Sequence, residues 1–240
     1  MRAGVRVVET VGELRRALAA TGARAVPRSV GLVPTMGYLH EGHASLLRQA
    51  RGDCDVVVAS IFVNPTQFAP NEDYASYPRD LPRDLAMLAD ERVDVAFTPP
   101  RDGFYPTGAD TFVVPGRVAE PLEGEHRPGH FQGVATVVTM LFNAVQPHRA
   151  YFGEKDWQQL QVVRRLVRDL LLPVDVVGLP VVREPDGLAL SSRNVRLGPE
   201  ARKRALCIPR ALAAARGAFA AGVTDPPALE RAMADVIARE

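Results

Sequence analysis

Short runs of β-branched and aliphatic residues alternate with stretches of helical period through the first three quarters of this chain. That alternation predicts an α/β domain built on a mainly parallel sheet. The clearest strand is the run VVVASIFV within residues 55–63, apolar at nearly every position, as expected when both faces are covered. Further strands are predicted at 30–34, 93–98, 149–152 and 174–177, with helices at 42–51, 81–91, 131–145 and 157–171. Thr10 and Glu13 have the spacing of a capping box and open an earlier helix that runs through Ala20. After Leu179 the pattern changes. The segment GLPVVREPDGLALSSRN reads as loop, and only helical signals follow it, starting at Gly198-Pro199 and at Asp225-Pro226. A boundary near Pro180 is therefore expected, giving domains 1–180 and 181–240.

With 240 residues, 47% of them hydrophobic, the chain is long enough for one large domain and a smaller appendage. A net charge of +1 without blocks of like charge suggests neither a nucleic acid nor an anionic membrane as partner. No apolar run reaches the roughly 18 residues of a membrane span, and residues 1–11 lack the apolar stretch of a signal peptide. Cys54 and Cys207 lie far apart in unlike contexts and read as reduced thiols, so a cytoplasmic setting is expected. Of the 29 basic residues only Lys155 and Lys203 are lysines, which gives weight to a lysine inside a motif.

The first such motif is VPTMGYLHEGHASLL, residues 33–47. A strand ending at Pro34, a turn at Gly37 and a helix start near Gly42 would place unpaired backbone N–H groups and the positive helix end beside the turn. That is a natural phosphate site. His40 and His43, three apart, can face one phosphate chain and donate hydrogen bonds to it. A zinc-protease reading fails, because that motif needs histidines four apart. In SIFVNPTQF, Asn64 and Gln67 stand just past the best strand, where open α/β sheets bind ligands. In RPGHFQGVATVV, Arg127 is a candidate anion anchor and His130 a residue of the helix start. YFGEKDWQQL sets Lys155 at another strand–helix junction, within reach of a phosphate, with Gln159 one turn further on. The GLALSSRN loop offers two hydroxyls and a guanidinium that could clamp a triphosphate. No Walker A loop, GxGxxG fingerprint or serine-hydrolase elbow is present.

Taken together and in this order, PTMGYLHEGH, FVNPTQF, YPRD, RPGHFQGV, YFGEKDWQQL and DGLALSSRN resemble the signatures of the pantothenate synthetase family. HEGH is similar to the HxGH element of nucleotidylyltransferases. The resemblance spans residues 31–194. It implies a Rossmann-like domain and a smaller carboxyl-terminal domain. That second domain is expected to be partial, since family members usually continue for several tens of residues beyond position 240. The implied reaction joins pantoate to β-alanine with ATP through a pantoyl-adenylate, in a homodimer with magnesium accompanying ATP. ATP would be held by Pro34, Thr35, Met36, Gly37, Tyr38, Leu39, His40, Glu41, Gly42 and His43. Gly153, Glu154, Lys155 and Asp156 would contribute from the second junction, and Val182, Leu190, Ser191, Ser192 and Arg193 from the second domain. His43, His40, Lys155 and Arg193 would carry the chemistry. Gln67 and Gln159 would hold pantoate, Gln67 bordering β-alanine, and Asn64, Arg127 and Tyr77 would line the pocket. The rival readings are another HxGH nucleotidylyltransferase and a relative that binds ATP or pantoate without turnover.

Overall fold

The computed structural model describes residues 4–22 and 28–240. Contacts divide the chain into two compact units, one ending at Pro180 and the other starting at Val181. In the first unit the strands are β1 (Arg6–Val8), β2 (Val30–Thr35), β3 (Val56–Ile61), β4 (Val95–Phe97), β5 (Arg149–Gly153) and β6 (Asp175–Leu179). They form one sheet in the order β1-β4-β3-β2-β5-β6, every pair parallel. Its helices are α1 (Val11–Ala20), α2 (Glu41–Asp53), α3 (Leu81–Asp90), the single turns α4 (Arg101–Phe104) and α5 (Glu123–His126), α6 (His130–Val145) and α7 (Trp157–Asp169).

Strand alternation decides what each helix covers. Leu32, Val56 and Val58 face one side, where Leu14 of α1, Val134 and Val138 of α6 and Leu160 of α7 complete the core. Val33, Val57 and Ala59 face the other, against Leu46 and Leu47 of α2 and Leu88 of α3. Helix α1 opens on the expected box: the Thr10 hydroxyl accepts from the Glu13 N–H at 3.2 Å, and the Glu13 carboxylate accepts from the Thr10 N–H at 3.0 Å.

The chain winds outward through β2, β3 and β4, then returns to lay β5 on the opposite side of β2. The winding direction reverses between β2 and β5, and such a reversal opens a crevice at the carboxyl ends of the two strands. Here those ends are Thr35 and Gly153, the first leading into the paired histidines and the second into Lys155.

Two elements differ from the sequence reading. β1 is not among the predicted strands: it is three residues long with Arg6 and Val7 exposed, too short to show a period. The 180–190 segment is not plain loop. Arg183 bridges Ala189 antiparallel, the Leu190 N–H donates to the Val182 carbonyl at 3.0 Å, and the chain reverses at Gly187 with φ +95°. Pro185-Asp186-Gly187 is the turn signal, and one rung on each side is too little to register as strand. Beyond it the second unit holds α8 (Pro199–Arg204), α9 (Cys207–Ala220) and α10 (Pro226–Ile237), so the helix starting at Gly198-Pro199 is broken at 205–206.

Candidate active site

At the end of β2, Gly37 and Tyr38 both take positive φ, +81° and +52°, and His40 becomes the N-cap of α2. The two imidazoles cap the helix reciprocally. The Gly42 N–H donates to Nδ1 of His40 at 3.1 Å, and the His40 N–H donates to Nδ1 of His43 at 3.3 Å. An Nδ1 that accepts from a backbone N–H carries no proton, so each neutral ring holds its proton on Nε2. The rings sit 4.1 Å apart between centroids. Burial, then His40 and Lys155, pushes His43 down to about 3. His40 is also lowered, by burial first and then by the charges of Lys155 and Arg83, with Asp156 opposing. Both are neutral hydrogen-bond donors at pH 7.

The expected row of free backbone donors is not what the turn presents. The Gly37 N–H donates to Thr35 Oγ1, the Tyr38 and Leu39 N–H groups to the Asp84 carboxylate, and the His43 and Ala44 N–H groups to the His40 carbonyl. With the bonds of His40 and Gly42, the turn spends these donors on its own shape. The donors this leaves over at the turn are the imidazole Nε2–H groups, beside the positive end of α2.

The depressed histidine has a consequence for stability. Between the ordinary value of 6.5 and about 3, the unfolded imidazole takes a proton that the folded one refuses. Its contribution is whole above pH 6.5 and is lost progressively as pH falls through that window. The urea midpoint is expected to drop more steeply from pH 7 to pH 5 in the native chain than in His43→Asn. Equal slopes would show that His43 is not held neutral.

Past β3, Asn64 caps a single turn of 3-10 helix, Pro65–Gln67. Its amide is fully committed: Oδ1 accepts from Thr66 Oγ1 at 2.9 Å and Tyr105 Oη at 3.0 Å, and Nδ2 donates to Gln67 Oε1 and the Gly133 carbonyl, both at 3.1 Å. Asn64, only 1% exposed, therefore orients Gln67 rather than offering a free amide of its own. The Gln67 Nε2 lies 3.2 Å from the Met36 sulfur, which joins this turn to the histidine turn.

Arg127 is not an open anion anchor. It meets Glu72 fork to fork, with both bonds 2.7 Å, and donates to Glu123 at 2.7 Å and to the Gln67 carbonyl at 3.3 Å. A guanidinium so paired is held as a strut. His130, the first residue of α6, lies 2.9 Å through Nδ1 from the same Gln67 carbonyl, so Nδ1 carries the proton and Nε2 accepts from Arg127 at 3.2 Å. Sequence reasoning missed Glu72, Tyr105, Asp84 and Gly133, which fix these groups from behind. Nearby, a cavity of about 260 Å³ has Met36, Gly37, Phe62, Tyr74, Arg79 and Arg101 in its wall. Tyr74 is among the residues lining it; Tyr77 is buried, its ring centroid 6.1 Å from that of Phe68 in an edge-to-face contact.

At the end of β5, Glu154–Asp156 forms another 3-10 turn, and α7 starts at Trp157. Lys155 is exposed and pairs with Asp156 at 3.1 Å, and its charge acts on both imidazoles across the crevice. Gln158 is committed to the loop before α5, accepting from the Glu123 N–H at 3.0 Å, and Gln159 beside it is half-buried. In the second unit, Val182 and Leu190 are ladder partners, and Ser191 caps the 3-10 turn Ser192–Arg196, accepting from the Arg193 N–H at 3.3 Å. Arg202 of α8 fastens that hairpin through Glu184 at 2.8 Å and Asp186 at 2.7 Å.

The model of the pantoate-beta-alanine ligase family matches residues 6–240 of this chain. A pantothenate synthetase of Roseiflexus castenholzii is 57% identical over 236 residues, covering 98% of this chain and 83% of that one. One of Deinococcus radiodurans is 58% identical over 216 residues, covering 88% and 77%. A crystal structure of pantothenate synthetase from Thermus thermophilus matches with a TM-score of 0.92 at 55% identity, covering 98% and 83%. That of the Francisella tularensis pantoate-beta-alanine ligase, complexed with beta-gamma ATP and beta-alanine, matches at 0.83 and 35% identity, covering 97% and 86%. Sequence, fold and the placing of the HEGH turn opposite the lysine turn agree, and the chain belongs to the pantoate–β-alanine ligase family.

Proposed function

We propose that the crevice between β2 and β5 is where this chain carries out its family's reaction, the ATP-dependent condensation of pantoate with β-alanine. The observation that carries the assignment is the pair of neutral imidazoles, each with its proton on Nε2, facing the charge of Lys155. A carboxylate does not acylate an amine at neutral pH, because oxide would have to leave. A carboxylate oxygen of pantoate instead attacks the α-phosphorus of ATP, and the bond to the bridging oxygen of the β-phosphate breaks. Pyrophosphate departs and pantoyl-adenylate remains. The amine of β-alanine then attacks the acyl carbon, the bond to AMP breaks, and the amine gives up a proton as the amide forms.

In this reading His43 and His40 donate to the phosphate oxygens as charge shifts onto the leaving group, and Lys155 offsets that charge. Because His43 is neutral far below pH 7, its part is to donate a hydrogen bond rather than to deliver a proton. Gln67, steadied by Asn64 and by the Arg127–Glu72 strut, holds pantoate together with Gln159. Pro34 to Glu41 and Gly42 contact the nucleotide from one side of the crevice, with Gly153, Glu154 and Asp156 from the other. Val182, Leu190, Ser191, Ser192 and Arg193, which lie in the second unit, are assigned to the nucleotide by family. Water exclusion matters, since water would hydrolyse the acyl-adenylate.

Among the described residues no group of three or more His, Cys, Asp or Glu side chains is placed to hold a metal ion. By family, magnesium is assigned as accompanying the triphosphate, as part of the substrate. No helix among the described residues is long and apolar enough to cross a membrane. A cytoplasmic homodimer is the state we assign by family.

The test is production of AMP and pantothenate from ATP, pantoate and β-alanine, with each omitted in turn. Turnover requiring all three is expected. Pyrophosphate release with pantoate alone would confine activity to the first half-reaction, and ATP binding without any release would overturn the proposal.

A further inference from the structure

Asp84 belongs to none of the segments that suggested a nucleotide site, yet it is one of the few buried charged residues, 1% exposed. It lies in the first turn of α3, inside the doublet Tyr77-Pro78-Arg79-Asp80-Leu81-Pro82-Arg83-Asp84. The two copies of Pro-Arg-Asp do different work. Asp80 caps its own helix, accepting from the Arg83 N–H at 3.2 Å. Asp84 reaches across to the histidine turn, where Oδ2 accepts from the Tyr38 N–H at 2.8 Å and Oδ1 from the Leu39 N–H at 2.7 Å.

The geometry of the turn explains why a carboxylate is needed there. Gly37 and Tyr38 are successive left-handed residues, and such a bend makes neighbouring N–H groups converge on one point. Two converging donors call for two acceptor oxygens in one plane, which a carboxylate supplies and a hydroxyl or amide does not. Tyr38 carries a Cβ in a conformation that costs energy and persists only when its surroundings enforce it. Arg83 braces the same peptides from the other side. Its guanidinium donates to the Leu39 carbonyl at 3.2 Å and lies 4.9 Å from the centroid of the Tyr38 ring. A Cβ on Gly37 would stand 3.0 Å from Asp84 Oδ2 and 3.0 Å from Ile61 Cγ2, so turn, carboxylate and strand are in direct contact.

We propose that Asp84 is a positioning residue for the reaction: by clamping the Tyr38 and Leu39 peptides it fixes where the next residue, His40, begins α2, and so where both imidazoles point. The assignment rests on the reaction proposed above. Asp84 touches no substrate in it; the carboxylate occupies the anion-binding concavity of the turn so that the phosphate chain is met by side chains held from behind.

The test compares Asp84→Asn with the native chain and repeats the change in a His43→Ala background. Asn keeps the shape but turns an NH2 group toward one of the two donors. The amide protons of Tyr38 and Leu39 are expected to lose their protection from hydrogen exchange, and the imidazole 15N shifts of His40 and His43 to depart from the pure Nε2–H form. kcat for pyrophosphate release should fall about tenfold or more in the native background and less than twofold once His43 is absent. Equal losses in both backgrounds would mean a general stability defect and overturn the proposal, as would unchanged imidazole shifts. Should the variant not fold, exchange in the native chain decides: Tyr38 and Leu39 amides exchanging as fast as exposed loop amides would overturn it. A native chain that makes no AMP would refute the reaction assigned above, while the exchange and imidazole measurements would still judge the clamp.

Discussion

His43→Ala is expected to slow pyrophosphate release from ATP and pantoate by about 10²–10³-fold, the loss typical when one preorganised donor is removed from a charge-stabilising site. The expectation follows from the ring's state. Its Nδ1 is engaged by the His40 N–H, and burial holds it neutral, so Nε2–H is a fixed donor already desolvated before substrate arrives. Alanine removes that donor and also leaves the His40 N–H without its acceptor, so the neighbouring imidazole loses part of its support. Single-turnover pyrophosphate release at saturating ATP is the measurement, with the thermal midpoint as a check on folding. A folded variant releasing pyrophosphate at near-native rates would remove His43 from the chemistry.

Gly133→Ala should damage pantoate binding from a position inside a helix. A Cβ there would lie 2.4 Å from the Thr66 carbonyl oxygen, 2.5 Å from its carbon and 2.6 Å from the Gln67 nitrogen. All three are backbone atoms, so no side chain can swing aside, and either α6 or the 65–67 turn must move. Overpacking of this kind costs about 1–3 kcal/mol and occasionally more. The same residue's carbonyl receives the Asn64 Nδ2 bond, so the displacement falls on the amide pair that orients Gln67. The KM for pantoate is expected to rise roughly tenfold while that for ATP changes little, with a lower thermal midpoint. Equal effects on both constants would place the damage elsewhere.

The strand–turn–helix units that carry the site were legible because each is local. Val30–Thr35 followed by Gly37 and a helix at Glu41 shows in hydrophobic period and turn chemistry alone. The same holds for Arg149–Gly153 followed by Trp157. What the residues would bond to was not legible, because those partners come from far along the chain. Arg127 looks like an open cation until Glu72, 55 positions earlier, is seen to fill its fork. The donors of the histidine turn look free until Asp84, 45 and 46 positions later, is seen to accept two of them. Gly133 passes unremarked in an apolar helix because a sequence does not show which backbone it touches. Asn64 and Gln67 are recognisable together, but hydrogen bonding separates their work, leaving Asn64 as the support and Gln67 as the group it aims.

The edge strand β1 sets an order of events during synthesis. Among the described residues it pairs with β4 alone, with Val8 opposite Phe97, so these residues leave the ribosome about 90 positions before the strand they must join. At roughly 5–20 residues per second that is a wait of about 5–20 s. The neighbours β2 and β3 are separated by a single helix and can pair within that interval. β1 is therefore made before β2 and β3 but placed after them, joining β4 while β5 and β6 are still to come.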